Sequence, residues 1–249
     1  MKHSRLLAYS VLLMTALAAA LAVLPARWLN AAVPSQWPLA IVDAEGTVWS
    51  GTAGLALGPE SNRRRLPDPI TWHWSFSQGP RLHIQHAWLG GPLMLAFAPR
   101  SVTVSSQTMS LPAQALATLD PRLAAIGPQG QLRLSWPAQR LTHTAPVDGA
   151  RLLDVQWLDA ASALSPLRPL GQYTLNLTAD KAAVRMLLST QKGPLVLQGT
   201  GRLDQTNGLN FEGSAQADAS SDPVTQAALQ DVLNAMGPRQ NNLTLLRHR

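Results

Sequence analysis

Residues 70–98 read ITWHWSFSQGPRLHIQHAWLGGPLMLAFA, and the fold class follows from how this stretch alternates. Ile70, Trp72, Trp74 and Phe76 share one side of an extended chain, with Thr71, His73 and Ser75 on the other. Gln78-Gly79-Pro80 interrupts the run. Leu82, Ile84, His86 and Trp88 resume it, and Gly90-Gly91-Pro92 leads into Leu93, Leu95 and Phe97. Side chains of a strand alternate between two faces, so short alternating runs parted by Gly/Pro turns predict an antiparallel meander rather than βαβ units.

The pattern returns further along. Tyr173, Leu175 and Leu177 alternate, then Val184, Met186 and Leu188, then Leu195 and Leu197, then Leu209 and Phe211. Turns are expected at Ala179-Asp180-Lys181, at Gln191-Lys192-Gly193-Pro194 and at Gln205-Thr206-Asn207-Gly208. Gly91-Pro92-Leu93 recurs as Gly193-Pro194-Leu195, so two similar halves over about 39–110 and 150–249 are expected. Further strands are expected near 131–136, 151–157 and 242–246, and a short helix over 112–119. Asp222-Pro223 opens another helix, Asp as N-cap and Pro at the first turn. Leu229, Val232, Leu233 and Met236 form its apolar stripe, and Gly237 stops it.

Upstream, Leu6 to Leu24 runs without a charge (LLAYSVLLMTALAAALAVL). A helix of that length nearly crosses a hydrocarbon core of about 30 Å. Lys2 and Arg5 precede it, and basic residues hold that end in the cytoplasm. Pro25, Arg27 and Trp28 follow as a helix stop and an interfacial pair. A cleaved signal peptide is the alternative, with a small-residue site at Ala18-Ala19-Ala20; the length of the run favours the anchor. The expected organisation is a cytoplasmic stub and single transmembrane anchor over 1–29, then a periplasmic β-rich domain over 30–249.

The 249 residues carry 20 Lys+Arg against 14 Asp+Glu, a formal charge of +6. Lys2, Arg5 and Arg27 account for half of that excess beside the apolar run, which removes the case for nucleic-acid binding. Arg63-Arg64-Arg65, between Pro59 and Pro67, is expected to be a solvated loop. There is no cysteine, which excludes disulfides, thiol nucleophiles and Cys-ligated metals. His83 and His86 lie three apart on an expected strand and face opposite sides, so no metal site is expected. Ser50 lacks the glycine pattern of a nucleophile elbow, the acids are scattered singly, and no phosphate loop or dinucleotide fingerprint occurs. The chain is expected to be no enzyme and to carry no cofactor. Trp72, Trp74, Trp88, Trp136 and Trp157 are expected in the core, and Trp28 and Trp37 at a membrane interface. Trp49, flanked by glycines, is expected in a strand with a structural role.

Several motifs occur in a recognisable order. Leu24-Pro25-Ala26-Arg27-Trp28-Leu29 follows the apolar run, then Gly46-Thr47-Val48-Trp49-Ser50-Gly51 with Ala53. Pro169-Leu170-Gly171, with Tyr173 two residues on, precedes Gly193-Pro194-Leu195-Val196-Leu197-Gln198-Gly199 and the helix over 228–237. The set resembles protein N of the bacterial type II secretion pathway. The resemblance implies a bitopic inner-membrane protein that works with the assembly-platform protein M, the outer-membrane secretin protein D and inner-membrane lipid. No catalytic residues come with it. Gly46, Val48, Trp49, Gly51, Gly171, Tyr173, Gly193, Pro194, Leu195 and Gly199 carry the likeness as structural positions. Anchored antiparallel meanders are also similar to AsmA-type envelope proteins, which would imply lipid bound along a curved sheet.

Overall fold

The computed structural model describes residues 2–34, 37–59, 63–118, 121–142, 144–204, 206, 208–240 and 243–248. The side chains of 2–11, 31–32, 121–122 and 248 lie outside that description, as do Leu119, His143, Gln205, Asn207 and Asn242, on which parts of the sequence reading fall. The chain forms two compact units, 1–87 and 88–249. Every strand ladder in them is antiparallel, so the fold is mainly β, as the alternation predicts.

The first unit begins with α1 (Lys2–Ala22) and a 3-10 helix (Ala26–Ala32). The helix stops two residues before Leu24, and among the described residues no helix is long and apolar enough to cross a membrane. Then come β1 (Leu39–Gly46), β2 (Ser50–Leu57), β3 (Arg64–Arg65), β4 (Ile70–Ser75) and β5 (Arg81–Gln85). They lie in the order β1-β2-β4-β5, with β3 also paired to β2. One sheet face carries Ala53 and Trp72, which bury Ala26 of the 3-10 helix and gather Leu29, Ile70, Leu82 and Ile84 around them. His73 stands exposed on the opposite face, as period two requires. The arginine run is solvated at Arg64 and Arg65, as expected, but these two form a strand rather than a loop. Arg64 and Arg65 pair with Leu57 and Ala56, and Arg65 reaches Asp43 at 2.5 Å. Backbone pairing with β2 overrides the polar composition there.

The second unit contains a three-stranded ribbon and a nine-stranded sheet. In chain order its elements are β6 (Leu93–Ala98), β7 (Ser101–Val104), β8 (Gln107–Pro112), a 3-10 helix (Ala113–Thr118), α2 (Pro121–Ile126), β9 (Pro128–Trp136) and β10 (Gln139–Thr142). There follow β11 (Arg151–Ser162), β12 (Gly171–Asp180), β13 (Ala183–Lys192), β14 (Leu195–Asp204), β15 (Gly208–Ala217), α3 (Pro223–Ala228), α4 (Gln230–Met236), β16 (Arg239–Gln240) and β17 (Leu243–His248). The sheet runs β16-β17-β15-β14-β13-β12-β11-β9-β8. The short helix expected over 112–119 is the 3-10 helix Ala113–Thr118, and it begins one residue later because Pro112 closes β8. The expected C-terminal helix is two. Leu229, in the αR region at the junction, serves both as C-cap of α3 and as N-cap of α4. Gly237 stops α4 in an extended conformation, where a Cβ would run into the Leu245 carbonyl.

The main core lies where α4 meets this sheet. Leu229, Val232 and Leu233 are fully buried against Ala160, Leu170, Tyr173, Leu195, Leu197 and Ala215. Gly171 and Gly193 make this approach feasible. Gly193 has φ of +120°, and a Cβ on it would lie 2.6 Å from the Leu170 carbonyl and collide with the Gly171 Cα. The Tyr173 hydroxyl donates to the Leu195 carbonyl at 2.9 Å and to that of Leu170 at 3.2 Å. Burial pushes its pKa well above the ordinary phenol value, so it stays a donor. Farther along the sheet, Phe211 lies across Gly199, Gly201 and Gly213, where added Cβ atoms would fall 2.5–3.2 Å from its ring. Leu195 and Leu93 both follow a Gly-Pro pair into a strand, yet a Cβ added at Gly91 would meet nothing within 4 Å.

The contrast between these two glycines is measurable. Gly193→Ala forces a left-handed backbone on alanine and costs on the order of 1–3 kcal/mol from strain alone, while Gly91→Ala is near neutral; thermal melts of both variants check it. At α3, the Asp222 carboxylate accepts from the Val224 and Thr225 amides, both at 2.9 Å. The Thr225 amide is the leading cause that holds its pKa below the usual carboxylate value. A carboxyl with a lowered folded pKa contributes stability above its unfolded value of about 3.9 and loses it as pH falls further. Wild-type melting therefore drops in acid, and Asp222→Asn shows a shallower drop.

Candidate interaction surface at the exit of the first helix

Of the motif 46–51, Gly46 closes β1 and Ser50-Gly51 open β2, while Thr47, Val48 and Trp49 form the turn between them, so Trp49 lies outside a strand. Gly46 has φ of +88°, and a Cβ on it would sit 2.6 Å from the Ser50 carbonyl. Opposite it, Gly51 leaves room for the Trp72 ring, 2.6 Å from where a Cβ would stand. The Thr47 hydroxyl accepts from the amides of Trp49 and Ser50, both at 3.2 Å. The buried Trp72 indole donates to the Thr47 and Val48 carbonyls at 3.2 Å. The turn is therefore fixed from inside by its own threonine and from below by a core tryptophan.

This turn holds the end of α1. The Val48 amide donates to the Leu24 carbonyl at 2.9 Å, and Pro25 and Thr47 form an isolated antiparallel bridge. The Trp49 indole donates to the Leu21 carbonyl at 2.8 Å, in the last turn of α1, where the Leu24 amide also donates to it at 3.3 Å. Trp49 is 36 % exposed and lies in the turn rather than in the strand expected for it. Its ring meets Trp74 edge-on at 6.2 Å and Phe76 at 5.9 Å, and Trp74 stacks on Phe76 at 6.1 Å. Phe76 is 59 % and Trp28 60 % exposed. Trp74 shares its strand face with Trp72; the two differ in what covers them, which alternation alone does not reveal.

Gly171, Tyr173, Gly193, Pro194 and Leu195 come together instead in the second unit, at the buried corner already described, and Gly199 beneath Phe211. They are packing positions. The Pro194 carbonyl adds one backbone tie there, accepting from the Asp218 amide at 2.7 Å.

The polar side chains make structural pairs. His83 does not turn toward His86 but stacks on His73, its register partner on β4, with centroids 4.6 Å apart and planes within 2°. Sequence reasoning missed this pair because it depends on strand register. His86 lies 3.2 Å from the Asp68 carbonyl instead. Asp180 bridges Arg185 at 3.1 Å and Arg202 at 2.5 Å, which face each other across β13 and β14. The hydrogen bond from Arg185 leads the causes that hold its carboxyl below the usual range. Arg151 pairs with Asp154 on β11. Among the described residues, no three His, Cys, Asp or Glu side chains gather as a metal site.

Comparison with known proteins adds one finding. A search of the curated proteins and one of the solved structures return no match. The family described as type II secretion system (T2SS), protein N, matches residues 38–244, from the start of the first sheet into the last strand. The match spans both units and takes in the β1–β2 turn, the Gly171–Gly193 corner and both C-terminal helices. The chain belongs to the type II secretion system protein N family.

Proposed function

We propose that the chain is a non-enzymatic inner-membrane component of the type II secretion machinery. Residues 6–24 anchor it with the N-terminus in the cytoplasm, and residues 30–249 stand in the periplasm, where they link assembly-platform protein M to the outer-membrane secretin, protein D. The family match over 38–244 carries this reading. The β1–β2 turn supports it mechanically, since it ties the folded body directly to the end of the apolar helix.

Sheet edges offer the docking sites. Among the described residues, β1 has a strand neighbour, β2, on one side alone, and β10 pairs only with β7. An unpaired edge presents rows of N–H and C=O groups that template an incoming strand. The AsmA-like alternative has a different feature in its favour. Met109, Leu134, Val155, Leu175 and Leu188 are register partners across β8, β9, β11, β12 and β13, and all are half-buried.

A photo-crosslinking residue at Ile41 on β1, in cells with an intact secretion system, discriminates these readings. The scaffold reading predicts adducts with protein M or the secretin. Copurified phospholipid in place of any such adduct would favour the lipid reading.

A further inference from the structure

We propose that the aromatic cluster at the exit of α1, formed by Trp49, Trp74 and Phe76, docks the first unit, together with the exposed Trp28 of the 3-10 helix, onto the headgroup layer of a phospholipid leaflet. This rests on the anchor reading of residues 6–24 and deepens it: the body lies against the bilayer instead of hanging from a free linker.

The first support is the lack of slack. α1 ends at Ala22, and by Leu24 and Pro25 the chain is already bonded to the β1–β2 turn. With the Trp49 indole on the Leu21 carbonyl, the turn stands beside the last helical turn. Whatever surrounds the end of the helix also meets the turn.

The second support is what the helix and the cluster expose. Leu12, Leu13, Met14, Leu17, Leu21 and Val23 are each at least half exposed, so this stretch needs an apolar surrounding. The cluster continues that surface outward with indoles and a phenyl ring. Tryptophan favours the boundary between hydrocarbon and headgroups, where its ring is in an apolar layer and its N–H reaches a polar acceptor. Exposed Arg27, next to Trp28, supplies a guanidinium for lipid phosphate.

The third support is how the sheet face is shared. Its inner part, around Ala53 and Trp72, is covered by the 3-10 helix through Ala26 and Leu29. Its outer end, Trp74 and Phe76 with Trp49, extends past that cover to the helix end. An apolar end of a sheet face contiguous with an exposed apolar helix fits a lipid surface, since the same layer covers both.

The test reconstitutes the full chain in nanodiscs containing phosphatidylcholine brominated high on its acyl chains and reads tryptophan quenching. Trp28 and Trp37 are quenched under the anchor reading alone, so the Trp28→Phe/Trp37→Phe double variant is the informative background. Docking predicts that this double variant is still quenched and that adding Trp49→Phe and Trp74→Phe removes most of the effect. Phe76→Ser in that background, which keeps Trp49 and Trp74, weakens quenching with an unchanged circular dichroism spectrum. An unquenched double variant that still resists carbonate extraction leaves the anchor standing and overturns docking, as does quenching that persists in the quadruple variant. Release by carbonate overturns the anchor reading, and docking with it.

Discussion

The Val48 amide bonded to the Leu24 carbonyl, with the Trp49 indole on the Leu21 carbonyl, is the constraint on which the first unit depends. It ends the apolar helix on a β-turn rather than on a flexible linker. The turn keeps this geometry because Gly46 and Gly51 remove two clashes, Thr47 caps its amides, and the buried Trp72 indole fixes its carbonyls. The same Trp72 is the centre of the small core that seats the 3-10 helix. One buried aromatic therefore orders the sheet, the helix exit and the exposed cluster.

A chain without cysteine must hold its second unit by packing and hydrogen bonds alone. The corner around Tyr173 does this by close approach. Glycines at 171 and 193 bring two backbone segments together, the Leu195 amide donates to the Leu170 carbonyl, and the one Tyr173 O–H is shared between the carbonyls of Leu195 and Leu170. Helix α4 then closes over the corner with Leu229, Val232 and Leu233. At the other end of the strands the cross-strand arginines 185 and 202 would repel each other, and Asp180 neutralises them.

Much of this is legible in residues 70–98 and 171–211, where alternation and Gly/Pro turns place β4, β5, β6 and β12 to β15 with little ambiguity. The Asp222-Pro223 cap is equally clear, because capping is a local interaction. What the sequence hides is non-local. The edge strand β3 forms because β2 offers pairing partners to Arg64 and Arg65, and no propensity of theirs announces it. The break at Leu229 and the stacking of His73 on His83 follow from packing and register. Trp72 and Trp74 share one face of β4 and look alike in sequence, yet only Trp72 is buried, beneath the 3-10 helix. The motif positions are recognisable as a set; their division between a helix exit and a buried corner is not.

Protein N family membership places the chain in type II secretion, and the rigid helix exit gives a reason why an anchor would matter to it. The most direct test replaces residues 6–24 with a cleavable signal peptide and measures export by the type II system. The account predicts a folded, released body with reduced secretion. Undiminished secretion from the released body would contradict it.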